Sequence, residues 1–201
     1  WITNQGAKSL SAVDDEVANF FVKADNNAFL QLLLSKKAIL VEGATEFLLV
    51  PYFYKKLTGK TIEDDEVTVI SCNGISYRKY LSIAESTNKR IAVITDNDGK
   101  PERIDEASAY NSSHSFQHIF MAADIKEWTW EACIYALNQV ELDKLIEVQE
   151  GAKYLFHEKN YGPVLGKMLN NKVDVAYSML MSGNNFEAPL YVKDAIAWIS
   201  E

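Results

Sequence analysis

The 201 residues are 48% apolar and carry 20 Lys and Arg against 28 Asp and Glu, a net charge of −8. That length and apolar share suffice to bury a core, in one domain or one domain with a helical annex. The negative balance weighs against gripping nucleic acid by bulk electrostatics, and no apolar run is long enough to cross a membrane. The lack of such a run points to no membrane partner, while Cys72 and Cys133 give no disulfide framework and read as core fillers, which points to a reducing cytoplasm. Three histidines without paired spacing weigh against zinc.

In chain order, residues 1–25 mix polar and apolar positions and read as a connecting segment. The run AFLQLLL predicts a helix over 26–35, so 1–36 forms a lead-in. The opening at Trp1 rather than Met predicts that the chain is part of a longer protein. Ile39–Val41 predicts a buried strand and 45–57 a helix, in which Pro51 predicts a kink or a late start. Thr58-Gly59-Lys60 ends that helix. An acidic loop over 63–66 leads to a strand over 67–71, a turn at Cys72-Asn73-Gly74 and a helix over 77–84.

A third strand covers 91–94. The polar stretch 100–115 reads as a long loop, either a mobile substrate-facing segment or disorder. A fourth strand follows over 116–121, then helices over 127–137 and within 139–149, 161–169, 172–181 and 189–200. Strand–helix alternation implies right-handed crossovers and a parallel sheet flanked by helices, an α/β fold. The change to helices near residue 125 divides a core, 37–125, from a helical subdomain, 126–201.

Two strands end in acids. AILVEGATE (38–46) delivers Glu42 at a strand tip, and Gly43 permits a one-step turn into a helix. Glu46 then lies four residues on, in reach of the same spot. RIAVITDNDG (90–99) delivers Asp96 and Asp98, which share a side in extended chain. In a 2-1-3 strand order both tips meet at a topological switch point, where open α/β sheets bind ligands. Four clustered carboxylates repel one another unless a hard cation sits among them, and Mg²⁺ or Mn²⁺ suits oxygen donors. The plainer alternative is that Glu42 and Glu46 favour a helix N-terminus and that Asp-Asn-Asp-Gly is turn chemistry.

These two motifs, with Asn73-Gly74 between them, resemble the Toprim domain of topoisomerases, primases and certain nucleases. VEGATE together with TWEACIYAL (129–137) and NKVDVAYSML (171–180) resembles the Toprim region of the OLD (overcoming lysogenization defect) family of ATP-dependent endonucleases, over Lys37 to the C-terminus. The resemblance implies a Rossmann-like Toprim sheet, a DNA endonuclease of the phage-defence type, and two Mg²⁺ or Mn²⁺ ions. It implies metal ligation by Glu42, Glu46, Asp96, Asp98 and Glu131, and a phosphate-facing role for Lys172, with Lys167 an alternative. Glu42, Asp96 and Lys172 would carry catalysis. Where the family's helix motif continues with Tyr-Asp, this chain has Ala132-Cys133.

The resemblance also implies an N-terminal ATPase domain as partner. ATP would act only through that absent domain, since no Walker-type loop occurs in the sequence. It leaves room for a homodimer. Two other readings stand beside it: a haloacid-dehalogenase-like phosphatase using Asp96 and Asp98, and a catalytically silent Toprim-like module that binds metal or a partner.

Overall fold

Apolar runs that end in acids fold here as neighbouring parallel strands. The computed structural model describes residues 2–3, 6–7, 27–74, 76–85 and 88–201. A small antiparallel pair, β1 (Ile2–Thr3) and β2 (Gly6–Ala7), comes first, and most of the expected connecting segment lies outside the described residues. Helix α1 (Asn27–Leu34) leads into β3 (Lys37–Val41). β4 (Val67–Ser71), β5 (Arg90–Ile94) and β6 (Gln117–Phe120) complete one parallel sheet in the order β4-β3-β5-β6. The first three strands thus stand 2-1-3, as the acid-tip argument requires.

Alternation along β3 and β5 divides the interior between two faces. Ile39, Val41, Ala92 and Ile94 face one core, shared with α2 (Ala44–Thr58), α5 (Trp130–Leu145), α6 (Pro163–Asn170), α7 (Lys172–Met181) and α8 (Leu190–Ser200). Ala38, Leu40, Ile91 and Val93 face the other, with α1, α3 (Tyr77–Glu85) and α4 (Pro101–Ser113). The helices after residue 125 therefore pack directly on the sheet, with Trp130, Ile134, Met168 and Ile196 in the first core. Among the described residues no helix is long and apolar enough to cross a membrane.

Two expectations need correction. The stretch 100–115 is no loop: α4 spans Pro101–Ser113. Pro101 sits in its first turn, where proline's fixed φ and missing N–H suit a helix start. Ala107 and Tyr110 pack inward on the second core. The side-chain amide of Asn111 accepts from the Ile119 N–H (2.7 Å) and donates to its carbonyl (2.8 Å), so α4 covers the edge strand β6. The period was short and masked by polar residues.

The second concerns Pro51. α2 starts at Ala44 and runs through it, so there is no late start. Its end is as expected, with Gly59 at φ 74° donating to the Lys55 carbonyl. The predicted division between 127–137 and 139–149 appears as a break inside α5 at Asn138. That buried amide leaves helical geometry to bond Glu187 through both its main-chain groups. A small hairpin, β7 (Leu155–Phe156) and β8 (Lys159–Asn160), had no signal in the sequence reading.

Candidate active site

Strand register puts the acids together. Val41 pairs with Ile94, so Glu42 and Thr95 leave the sheet side by side, and the Thr95 hydroxyl donates to Glu42. One residue on, Asp96 accepts from the Thr129 hydroxyl at 2.8 Å. The same hydroxyl lies 3.0 Å from Glu131, and its single proton serves one carboxylate at a time. Glu131 also accepts from the Lys172 ammonium at 2.9 Å. Glu46, in the first turn of α2, completes the inner group. Glu46 is 8% exposed and Glu131 3%.

The electrostatics follow from this burial. Asp96 is pushed up to about 8, first by burial and then by the Glu42 and Glu46 charges, with the Thr129 bond pulling back. Glu46 rises to about 7, mainly by burial; its own backbone N–H opposes the rise, and Glu131 and Glu42 add to it. Burial works against the Lys172 charge, but Glu131, Asp96 and Glu46 outweigh it and hold its pKa above the usual lysine value. The inner group is therefore several acids around one ammonium.

Asp98 stands apart. It lies in the left-handed region at φ 54°, with its N–H on the Trp128 carbonyl at 3.1 Å, and pairs with the Arg103 guanidinium. Arg103 also reaches Thr95 (3.1 Å) and Glu42 (3.6 Å). Between the two acids, Asn97 is fully buried and donates to the carbonyls of Ala122 (2.9 Å) and Asp124 (3.0 Å). It accepts from the Gly99 N–H at 2.8 Å, which ties the turn to the loop before α5. The structure thus brings Glu42, Glu46, Asp96, Glu131 and Lys172 together and turns Asp98 onto Arg103. Lys167, the alternative to Lys172, donates instead to the Glu147 carbonyl.

Residues 33–98 match the family described as overcoming lysogenization defect protein-like, TOPRIM domain. Over that third of the chain the match is to an OLD-like Toprim domain. The chain's fold is similar to the C-terminal region of the Xanthomonas campestris pv. campestris OLD protein, at TM-score 0.57 and 16% identity over 85% of this chain and 94% of that one. The C-terminal region of the Burkholderia pseudomallei OLD protein gives TM-score 0.55 and 13% identity over 83% and 97%. No curated protein matches the sequence.

With the OLD-like Toprim fold in place, the phosphatase alternative is not favoured: β5, with Asp96 beyond its end, is the third strand of the sheet rather than its opening. Among the described residues no three His, Cys, Asp or Glu side chains converge tightly enough to ligate one ion. The inner donors are nevertheless all carboxylate oxygens, which fit a hard divalent cation by chemistry and by the mutual repulsion that raises Asp96 and Glu46.

Sequence reasoning did not single out four polar residues: Thr95, Asn97, Arg103 and Thr129. Thr129 opens the TWEACIYAL motif and could have been found there. Arg103 falls in the stretch read as a loop, so the helix that places it had to be known first.

Proposed function

We propose that this chain hydrolyses DNA phosphodiester bonds with two Mg²⁺ or Mn²⁺ ions. One observation carries the reading: Asp96, Glu46 and Glu131 lie at the carboxyl edge of the sheet, with Lys172 beside Glu131. Burying carboxylates costs several kcal/mol each without a compensating charge, on the order seen for buried ions generally. One lysine does not offset two buried carboxylates and the half-buried Asp96 beside them, and a divalent cation would.

Asp96, the central acid, would be a ligand in common, with Glu42 and Glu46 as one set and Glu131 as the other, which Asp98 would join on leaving Arg103. When bound, the ions supply acidity to the attacking water and offset charge at the leaving oxygen. The chain's own residues do the rest. Asp96 and Glu46 give up protons to become ligands. The Thr129 hydroxyl orients Asp96, and Lys172, held fully charged, offers its ammonium to the phosphate oxygens. No carboxylate is assigned as a covalent nucleophile. Glu42, Asp96 and Lys172 are the residues whose loss would stop chemistry.

The organisation proposed with this function is a lead-in (1–36), a Toprim core (37–125) and a helical part (126–201) completing the region. The partners proposed are DNA, an N-terminal ATPase domain through which ATP acts, and a second copy, in a cytoplasmic protein of phage defence. A silent Toprim-like module is the competing reading.

Supercoiled plasmid incubated with Mg²⁺, Mn²⁺ or Ca²⁺ separates the two. Nicking or linearisation by the parent, lost in Glu42→Ala, Asp96→Ala and Lys172→Ala, supports hydrolysis at this site. Cutting that survives Asp96→Ala would sink it. Metal binding without cutting, in the presence of the ATPase domain, would favour the silent module.

A further inference from the structure

A chain of net charge −8 that acts on DNA needs a source of affinity other than bulk charge. We propose that Trp128, Phe156 and Tyr161 form a stacking platform for unpaired bases of DNA beside the acid cluster. This rests on the hydrolytic reading above and names the form of substrate that the site receives.

The cluster is continuous with the site. The Trp128 carbonyl accepts from Asp98, and the next residue, Thr129, donates to Asp96. A Cβ on Gly99 would lie 3.7 Å from that of Trp128. The Trp128 ring stands 6.1 Å from Phe156 at 28° and 5.5 Å from Tyr161 at 39°. All three rings are partly exposed. Trp128 therefore adjoins, through its own carbonyl and the next residue's hydroxyl, the segment that carries Asp96 and Asp98.

The hairpin that carries Phe156 is held under strain. His157 and Glu158, at its tip, have φ 46° and 64°. Two-residue turns of this kind ordinarily use Asn-Gly, because side chains in the left-handed region cost about 1–2 kcal/mol per residue. The surroundings hold the hairpin in place: the Asn170 amide donates to the Leu155 carbonyl at 3.0 Å, and Tyr154 crosses Gly166. A Cβ on Gly166 would fall 2.2 Å from the Tyr154 carbonyl oxygen, so only glycine permits that approach. Strain kept by an over-determined setting is a mark of functional segments.

Charge points to the same occupant. Lys126, Lys153 and Lys159 flank these rings in sequence, are exposed, and form no ion pair among the described residues. Flat apolar faces with unpaired ammonium groups suit a polyanion whose bases are bare, a single strand or a frayed end, because a duplex hides its base faces.

The test is anisotropy of a labelled single strand and of a blunt duplex of equal length, with Ca²⁺ replacing Mg²⁺. The parent should hold the single strand more tightly. Phe156→Leu and Tyr161→Leu, which keep apolar bulk, should each weaken single-strand binding about tenfold and move duplex binding less than twofold. Trp128→Leu should do the same where its melting profile shows a folded chain. Unchanged single-strand affinity in Phe156→Leu and Tyr161→Leu, or equal loss on both substrates, overturns the platform. Loss confined to the single strand, in a protein that never cuts plasmid, leaves the platform standing and removes the hydrolytic reading instead.

Discussion

The inner and outer acids are the same functional groups in different circumstances. Glu46 and Glu131 are buried and Asp96 half-buried where α2, α5 and α7 meet the carboxyl edge of the sheet, and they repel one another around a single ammonium. Asp98 sits at the rim, its side chain 47% exposed and paired with the Arg103 guanidinium, which reaches Glu42 at the boundary between the two sets from 3.6 Å. The rim is already satisfied by a residue of the chain. The interior is left short of positive charge, and that shortage argues for a cation more strongly than the number of carboxylates does.

The comparison can be broken by removing acids one at a time. The largest effect expected is on plasmid cleavage: Asp96→Ala should lower it more than about a hundredfold, and Asp98→Ala only about tenfold, read as initial nicking rates. Equal losses would erase the distinction between inner and outer acids.

Stability against pH gives the next effect. Asp96 rises from 3.8 to about 8 and Glu46 from 4.5 to about 7, so the folded chain binds these protons more tightly than the unfolded one. Their favourable contribution is then complete below about pH 4 and is lost as pH climbs through about 8. Without divalent metal, Tm should fall by roughly 15 °C between pH 5 and pH 8. Asp96→Asn should lessen that slope, leaving the part due to Glu46. A parent whose Tm is level over this range would contradict the reading of the inner acids.

The smallest effect belongs to the rim. Arg103→Leu removes a half-exposed pairing, so urea denaturation should register a change of no more than about 1 kcal/mol. A larger loss would mean that Arg103 holds the site together from within.

Sequence carried the centre of this fold well, because each acid sits at the end of an uninterrupted apolar run and the strands pair in register. Glu42 and Asp96 could be placed from that pattern alone. Glu131 and Lys172 could not, since their helices reach the site by packing on α2 and the sheet, and only the family resemblance pointed to them. The 100–115 stretch misled because its buried positions are few and small, Ala107 chief among them. The β7–β8 hairpin was invisible because His157 and Glu158 occupy a turn that normally announces itself with glycine. Asn97, read as turn chemistry, is a fully buried tie whose partners lie 25 to 30 residues away.

The most direct test is calorimetric titration of the metal-free protein with Mn²⁺ at pH 7, in two buffers of different ionisation heat. Asp96 and Glu46 hold protons there, so binding at the inner acids should release roughly one proton per protein, and Asp96→Asn should abolish both binding and release. Binding with no proton release, or binding untouched by Asp96→Asn, would place the cation elsewhere and contradict the account.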